Sequence, residues 1–240
     1  MSVSTIRFIL TDIEGTTTSV SFVYDVLFPY FREHLNELSN LSQEEEVKKA
    51  IEQTIDLALK DENIQLETID EVIEQWKTWS LADKKITPLK TVQGVLWKKG
   101  YENGTIKGHV YADVEPALRK WKSIGIDLGV FSSGSVKAQK LLFGYSDAGN
   151  LLTFFSAYFD TTTGTKRERS TYTTIAEQLN LSTSEILFLS DIREELEAAE
   201  HAGMKTIQLV REGNSPNWRT TAADFYAVDD LIQQQINEHI

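Results

Sequence analysis

Phe8-Ile9-Leu10-Thr11-Asp12-Ile13-Glu14-Gly15-Thr16-Thr17 is an apolar run that stops abruptly in two acids, a glycine and two threonines. Ile6 to Leu10 is apolar apart from Arg7 and rich in β-formers, which predicts a buried strand whose end presents Asp12. Alternate residues of extended backbone point the same way, so Asp12 and Glu14 share one side of the turn. Gly15 lets the chain bend where a side chain would obstruct. Two carboxylates at a strand end suit covalent chemistry: one attacks an electrophile and the other moves protons for it. A lone D-x-E is more often a solvated turn, so its partners decide.

Downstream, the period changes. From Val20 to about Gly100 the spacing is helical with almost no strand-like alternation, which predicts an all-helical insertion. Pro29 suits a helix start, and Ser42 with Glu45 and Thr68 with Glu71 each place a hydroxyl three residues before an acid. A helix from about Gln43 sets Val47, Ile51, Ile55 and Ala58 on one face, and Gly100 is the expected end of the helix carrying Trp97. Trp76, Trp79 and Trp97 are expected in packing.

From Asp113, an expected helix cap, helices and strands alternate. Strands are predicted at Asp127 to Phe131, Ala157 to Phe159, Ile186 to Leu189 and Thr206 to Val210, with a short one at Phe225 to Val228 before a last helix from Asp229. This order implies a parallel sheet with helices on both faces, and ligands then gather outside the carboxyl ends of the strands.

That layout selects the partners of Asp12. Ser132-Ser133-Gly134-Ser135 ends the second core strand, Lys166 follows the third, and Asp191 ends the fourth with Glu195 one helical turn beyond. Hydroxyls and free N–H groups opening a helix form an anion site, though a plain helix-capping turn has the same composition. Lys166 would otherwise be an ordinary surface charge. Two carboxylates about 4 Å apart repel by roughly 4 kcal/mol at an effective dielectric of 20, so gathering Asp12, Glu14 and Asp191 asks for a cation. An all-oxygen donor set in a chain with no cysteine points to magnesium rather than zinc. The histidines His34, His109, His201 and His239 lie far apart with no ligand spacing. Arg193 and Arg211 fall near predicted strand ends, where either the site or neighbouring acids would engage them.

At 240 residues and 41% hydrophobic content the chain can bury a sizeable core, and a formal charge of −12 argues against nucleic acid or an anionic membrane as partner. No apolar run is long enough for a signal peptide or membrane span, so a cytoplasmic protein is expected, and the acidic surface without a zipper pattern makes a monomer the expected state.

Asp-x-Glu-Gly-Thr-Thr, Ser-Ser-Gly, Lys and Asp on four successive strand ends resemble the haloacid-dehalogenase superfamily. Glu14 in place of a second Asp, with Phe22-Val23, Leu27-Phe28-Pro29-Tyr30, Gln93-Gly94, Ala138-Gln139-Lys140-Leu141-Leu142-Phe143 and Arg211 with Gly213-Asn214, resembles its acireductone synthase family of enolase-phosphatases. The resemblance implies a Rossmann-like core over 1–18 and 108–240, and a helical cap domain over 19–107. It implies Asp12 as nucleophile, Glu14 as general acid and base, and Mg²⁺ held by Asp12, Glu14 through its main chain, and Asp191. It further implies Ser132, Ser133 and Lys166 on the phosphate of 2,3-diketo-5-methylthiopentyl-1-phosphate, a small phosphorylated diketone of methionine salvage. Phe22, Tyr24 and Trp97 are candidates for its thioether tail, and the enolisation base stays open between Glu14 and a cap residue such as Lys90. The alternatives are a phosphatase for another small metabolite, a dehalogenase, a receiver-like module, or a scaffold without activity.

Overall fold

The structure is a computed structural model that describes residues 6–211 and 213–237, the last three by backbone alone. His239 lies outside the described residues. The chain divides into two compact units, Met1–Val20 with Gly108–Ile240, and Ser21–Lys107.

The first unit is built on a six-stranded parallel sheet of β1 (Phe8–Thr11), β2 (Asp127–Phe131), β3 (Ala157–Phe159), β4 (Ile186–Ser190), β5 (Lys205–Leu209) and β6 (Thr221–Ala222), in the order β3-β2-β1-β4-β5-β6. All four residues of β1 are buried, as expected for a central parallel strand covered on both faces. Phe8, Leu10, Phe131 and Phe188 form one core with Tyr172, Ile175, Leu196 and Ala199 from the helices Arg169–Leu179 and Arg193–His201. The alternate residues Ile9, Leu128, Val130, Leu187 and Leu189 are buried on the opposite face. The helices Val114–Ser123 and Phe225–Asn237 pack on each other, with Trp121 against Phe225 at 5.2 Å.

Two expectations fail in this unit. Phe225 to Val228 is the first turn of the last helix rather than a strand, and the sixth strand is Thr221–Ala222. Asp113 precedes its helix but makes no side-chain cap, because its carboxylate is taken by Arg211 and the Phe225 N–H.

The second unit is helical, as expected. Trp76 and Trp79 are buried, and each has a partner for its ring N–H: Thr54 Oγ1 at 2.7 Å and Glu62 Oε1 at 2.7 Å. Trp97 donates to the Leu27 carbonyl at 2.9 Å and stacks on Phe28. The Thr68–Glu71 capping box forms, whereas Ser42 caps nothing. Ser42 lies in a turn closed by Glu44 N–H to Leu41 O, so the helix begins later, at Glu45. Its buried stripe is Val47, Ala50, Thr54 and Ala58, which leaves Ile51 and Ile55 at the margin. Thr54 belongs to the stripe because its hydroxyl is satisfied by Ala50 O and Trp76. Gly100 does not end its helix, which runs Thr87–Glu102; it is where Ile106 and Tyr30 come closest. Pro29 falls in the first turn of the helix Phe28–His34, as expected. It sits in a continuous helical run, after a π turn over Val23–Leu27. The wider turn accommodates a residue without an N–H whose ring would crowd the carbonyl four residues back.

Candidate active site

Parallel pairing in register brings the ends of β2, β1 and β4 to one edge of the sheet, where Ser132, Asp12 and Asp191 follow immediately. Asp12 N–H extends the ladder to Leu189 O at 2.9 Å, and Ser132 N–H reaches Phe159 O at 3.2 Å. The turn after β1 is tied from within. Ile13 O accepts the N–H groups of Thr16, Thr17 and Thr18, and the Thr17 hydroxyl lies within reach of the carbonyls of Asp12 and Ile13. Glu14 occupies the turn itself, opposite Thr18 in an isolated bridge.

Lys166 is the centre of charge. Its side chain is 7% exposed, and its Nζ stands 2.7 Å from Asp12 Oδ1 and 2.7 Å from Glu195 Oε2. Burial alone would lower the Lys166 pKa, but the charges of Asp12 and Glu195 outweigh it and hold the ammonium above its ordinary value. Tyr172 donates its hydroxyl to the Lys166 carbonyl at 2.6 Å, and burial raises that phenol far above its ordinary value. Asp12 Oδ1 also accepts Ile13 N–H at 2.7 Å, and these two donors fix the rotation of the carboxylate. Glu195 takes the Ser190 hydroxyl at 2.9 Å; burial and the Asp12 charge raise its pKa.

Asp191 is the third carboxylate. Its Oδ1 is buried with no hydrogen-bond partner, while Oδ2 faces Asn214 Nδ2 at 3.4 Å. Burial, then the charge of Asp12, pushes its pKa up to about 6. It lies so close to the turn that a Cβ on Gly15 would sit 2.4 Å from Oδ2; Gly15 also has φ +69°.

Ser132 is buried and receives Gly134 N–H at 3.2 Å on its hydroxyl, while Ser133 is half-buried and Ser135 caps the following helix at Ala138 N–H. The helix-capping alternative for this segment is therefore met by Ser135. Arg193 pairs with Glu197 on the surface. Arg211 is buried and pairs with Asp113.

Three carboxylates against one ammonium leave this edge with excess negative charge, and an orphaned buried oxygen on Asp191 is suited to a hard cation. Among the described residues no group of three or more His, Cys, Asp or Glu side chains is placed to hold a metal. Asp12 and Asp191 could supply two side-chain oxygens, and a shell would then be completed by main-chain carbonyl and water oxygens, as hard divalent cations accept.

Residues 6–203 match the haloacid dehalogenase-like hydrolases, and the chain belongs to that family. The L-2-haloacid dehalogenase RSc1362 shares its fold at TM-score 0.59 and 17% identity, covering 96% of this chain and all of that one. Within the family, its place is with the enolase-phosphatases E1. The enolase-phosphatase E1 of Picosynechococcus is 48% identical over 227 residues, 94% of this chain and 99% of the relative. That of Pseudomonas aeruginosa is 49% identical over 231 residues, 95% of this chain and 100% of the relative. The UTR4 protein of Saccharomyces cerevisiae matches in structure at TM-score 0.75 and 32% identity, over 91% of this chain and 98% of that one. No described helix is long and apolar enough to cross a membrane.

Proposed function

We propose that the chain is an enolase-phosphatase of methionine salvage, converting 2,3-diketo-5-methylthiopentyl-1-phosphate to the acireductone 1,2-dihydroxy-3-keto-5-methylthiopentene and phosphate. The observation that carries the phosphatase half is the contact of Lys166 Nζ with Asp12 Oδ1 at 2.7 Å, at the carboxyl edge of the sheet. Asp12 attacks phosphorus, the ester P–O bond breaks, and Glu14 protonates the departing oxygen. Water then attacks the aspartyl phosphate as Glu14 takes its proton, and phosphate leaves. Lys166 spreads positive charge over the transferring oxygens, and Ser132 and Ser133 hold the phosphate. Glu195 keeps the Lys166 ammonium at this station.

Magnesium is the cofactor of this reading, held by Asp12, Asp191 and the Glu14 carbonyl. When bound, it supplies Lewis-acid neutralisation of phosphate charge and of a developing enolate oxygen. The enolase half rests on the identity to relatives that carry that name. The helical unit serves as the cap domain and the two-part unit as the catalytic core, the first division expected at 18/19 falling at 20/21 and the second at 107/108. Of the three aromatic candidates for the thioether tail, Trp97 and Phe22 are buried and Tyr24 is half-exposed. The chain acts as a cytoplasmic monomer in this reading.

Anaerobic turnover of the diketo phosphate with and without Mg²⁺, following ene-diol absorbance and phosphate together, tests it. Both signals should rise in step and require the metal. Phosphate without the ene-diol signal, or only from unrelated esters, would make the chain a phosphatase for another metabolite.

A further inference from the structure

Arg211 has no part in the chemistry above, yet it is tied directly to the turn that carries Glu14. Its side chain is 6% exposed. Nε and Nη2 both donate to the Thr16 carbonyl, at 3.1 and 2.9 Å, while Nη1 and Nη2 make a bidentate pair with Asp113 at 3.0 and 2.8 Å. Asp113 also receives the N–H of Phe225 at 2.7 Å. The guanidinium carbon lies 4.1 Å from the centre of the Tyr111 ring and 5.5 Å from that of Phe225. Tyr111 in turn donates its N–H to Thr17 O at 3.0 Å.

A buried ion pair of this kind adds little net stability, since desolvation offsets most of the attraction. What it does define is position. The turn satisfies the Ile13 carbonyl internally, and its outward carbonyls at Thr16 and Thr17 are held by Arg211 and by the Tyr111 N–H. Thr16 N–H is bonded to Ile13 O, and Thr16 follows Gly15, the residue against Asp191. Any displacement of the Thr16 carbonyl is therefore passed to Gly15 and Glu14. A planar five-donor fork can serve one carbonyl and both oxygens of a carboxylate together, which an ammonium cannot.

We propose that Arg211 is a positioning residue for the catalytic turn: braced by Asp113, it registers Glu14 and the Gly15 seat of Asp191 through the Thr16 carbonyl. The proposal deepens the enolase-phosphatase reading and rests on it for the role of Glu14. It is tested with Arg211→Met and Arg211→Lys, by steady-state kinetics, circular dichroism and amide exchange over residues 14–18. A displacement on the order of 1 Å costs about 100-fold in rate, so folded Arg211→Met should lose about that in kcat with KM within about threefold. Arg211→Lys keeps the charge without the fork and should recover part of the rate, about tenfold below wild type. Exchange at 14–18 should quicken in both variants while β4 stays protected.

Wild-type kcat in folded Arg211→Met overturns the proposal. Should that variant fail to fold, Arg211→Lys with wild-type kcat and exchange overturns it, as does faster exchange spread over the whole core. Wild-type enzyme that leaves the diketo phosphate untouched refutes the functional reading instead, and the exchange comparison with p-nitrophenyl phosphate hydrolysis still decides the role of Arg211.

Discussion

Gly15→Ala separates backbone strain from site geometry, because the structure supplies its own control. Gly15 has φ +69°, and an added Cβ would lie 2.4 Å from Asp191 Oδ2 and 2.6 Å from its Cγ. Gly125 has φ +85° with nothing within 4 Å of an added Cβ. Placing alanine in the left-handed region costs roughly 1–2 kcal/mol in either case. At roughly 2–4 °C per kcal/mol for a protein of this size, both variants should melt about 2–8 °C below wild type. Only at Gly15 must Asp191 also retreat, by ~1 Å to reach an ordinary van der Waals separation. A shift of that size at a catalytic or metal-holding group costs about 100-fold in rate. Initial rates of phosphate release from the diketo phosphate at saturating Mg²⁺, beside thermal melts, give both quantities. Gly125→Ala should keep its wild-type kcat while Gly15→Ala loses about two orders of magnitude. Equal kcat in the two variants would refute the reasoning, since strain alone would then account for everything the Gly15 substitution does.

Tyr172→Phe removes the donor to the Lys166 carbonyl, and a buried acceptor left without its partner costs about 1–3 kcal/mol. The variant should melt lower and show a raised KM for the phosphate ester; an unchanged KM would mean that Lys166 keeps its station without the phenol. Mg²⁺ at about 100 times its dissociation constant should stabilise the wild type by about 2.7 kcal/mol, read as a higher melting temperature. Asp191→Asn should abolish most of that increase, and an undiminished shift in the variant would remove Asp191 from the metal site.

The strand ends were legible because each apolar run of the sheet stops at a polar turn, and period-two and helical patterns do not mix across that boundary. Asp12, Ser132 and Asp191 therefore fall where the alternation of strand and helix requires. Features set by tertiary packing were not legible. The Ser42 hydroxyl and Gly100 carry ordinary helix-boundary signals, which the preceding turn and the approach of Tyr30 and Ile106 override. Phe225 to Val228 has the composition of a strand, and the neighbouring two residues at Thr221–Ala222 complete the sheet instead. Arg211 and Asp113 are 98 residues apart, so no local pattern announces their pair. Glu195 could be seen as an acid one turn past Asp191, but only the structure shows that it meets Lys166.

That last contact alters the electrostatic logic of the site. Sequence spacing treats Lys166 as a counter-charge to carboxylates and phosphate alike, whereas the folded chain already commits it to two carboxylates at 2.7 Å each. The lysine is thus held in place by Glu195 as much as offered to a ligand, and two carboxylates already share its charge before a phosphate arrives. Asp191, with Oδ1 buried and unsatisfied, feels the Lys166 charge too weakly to offset burial and the charge of Asp12. An anionic ester could enter beside these carboxylates only with further positive charge, and the oxygen donors Asp12 and Asp191 define where a divalent ion would bring it. Metal and substrate binding are therefore expected to be mutually reinforcing, each lowering the electrostatic cost of the other. The dissociation constant for Mg²⁺, measured by calorimetry, should tighten when inorganic phosphate is present. Equal affinities with and without phosphate would place the two charges too far apart to interact.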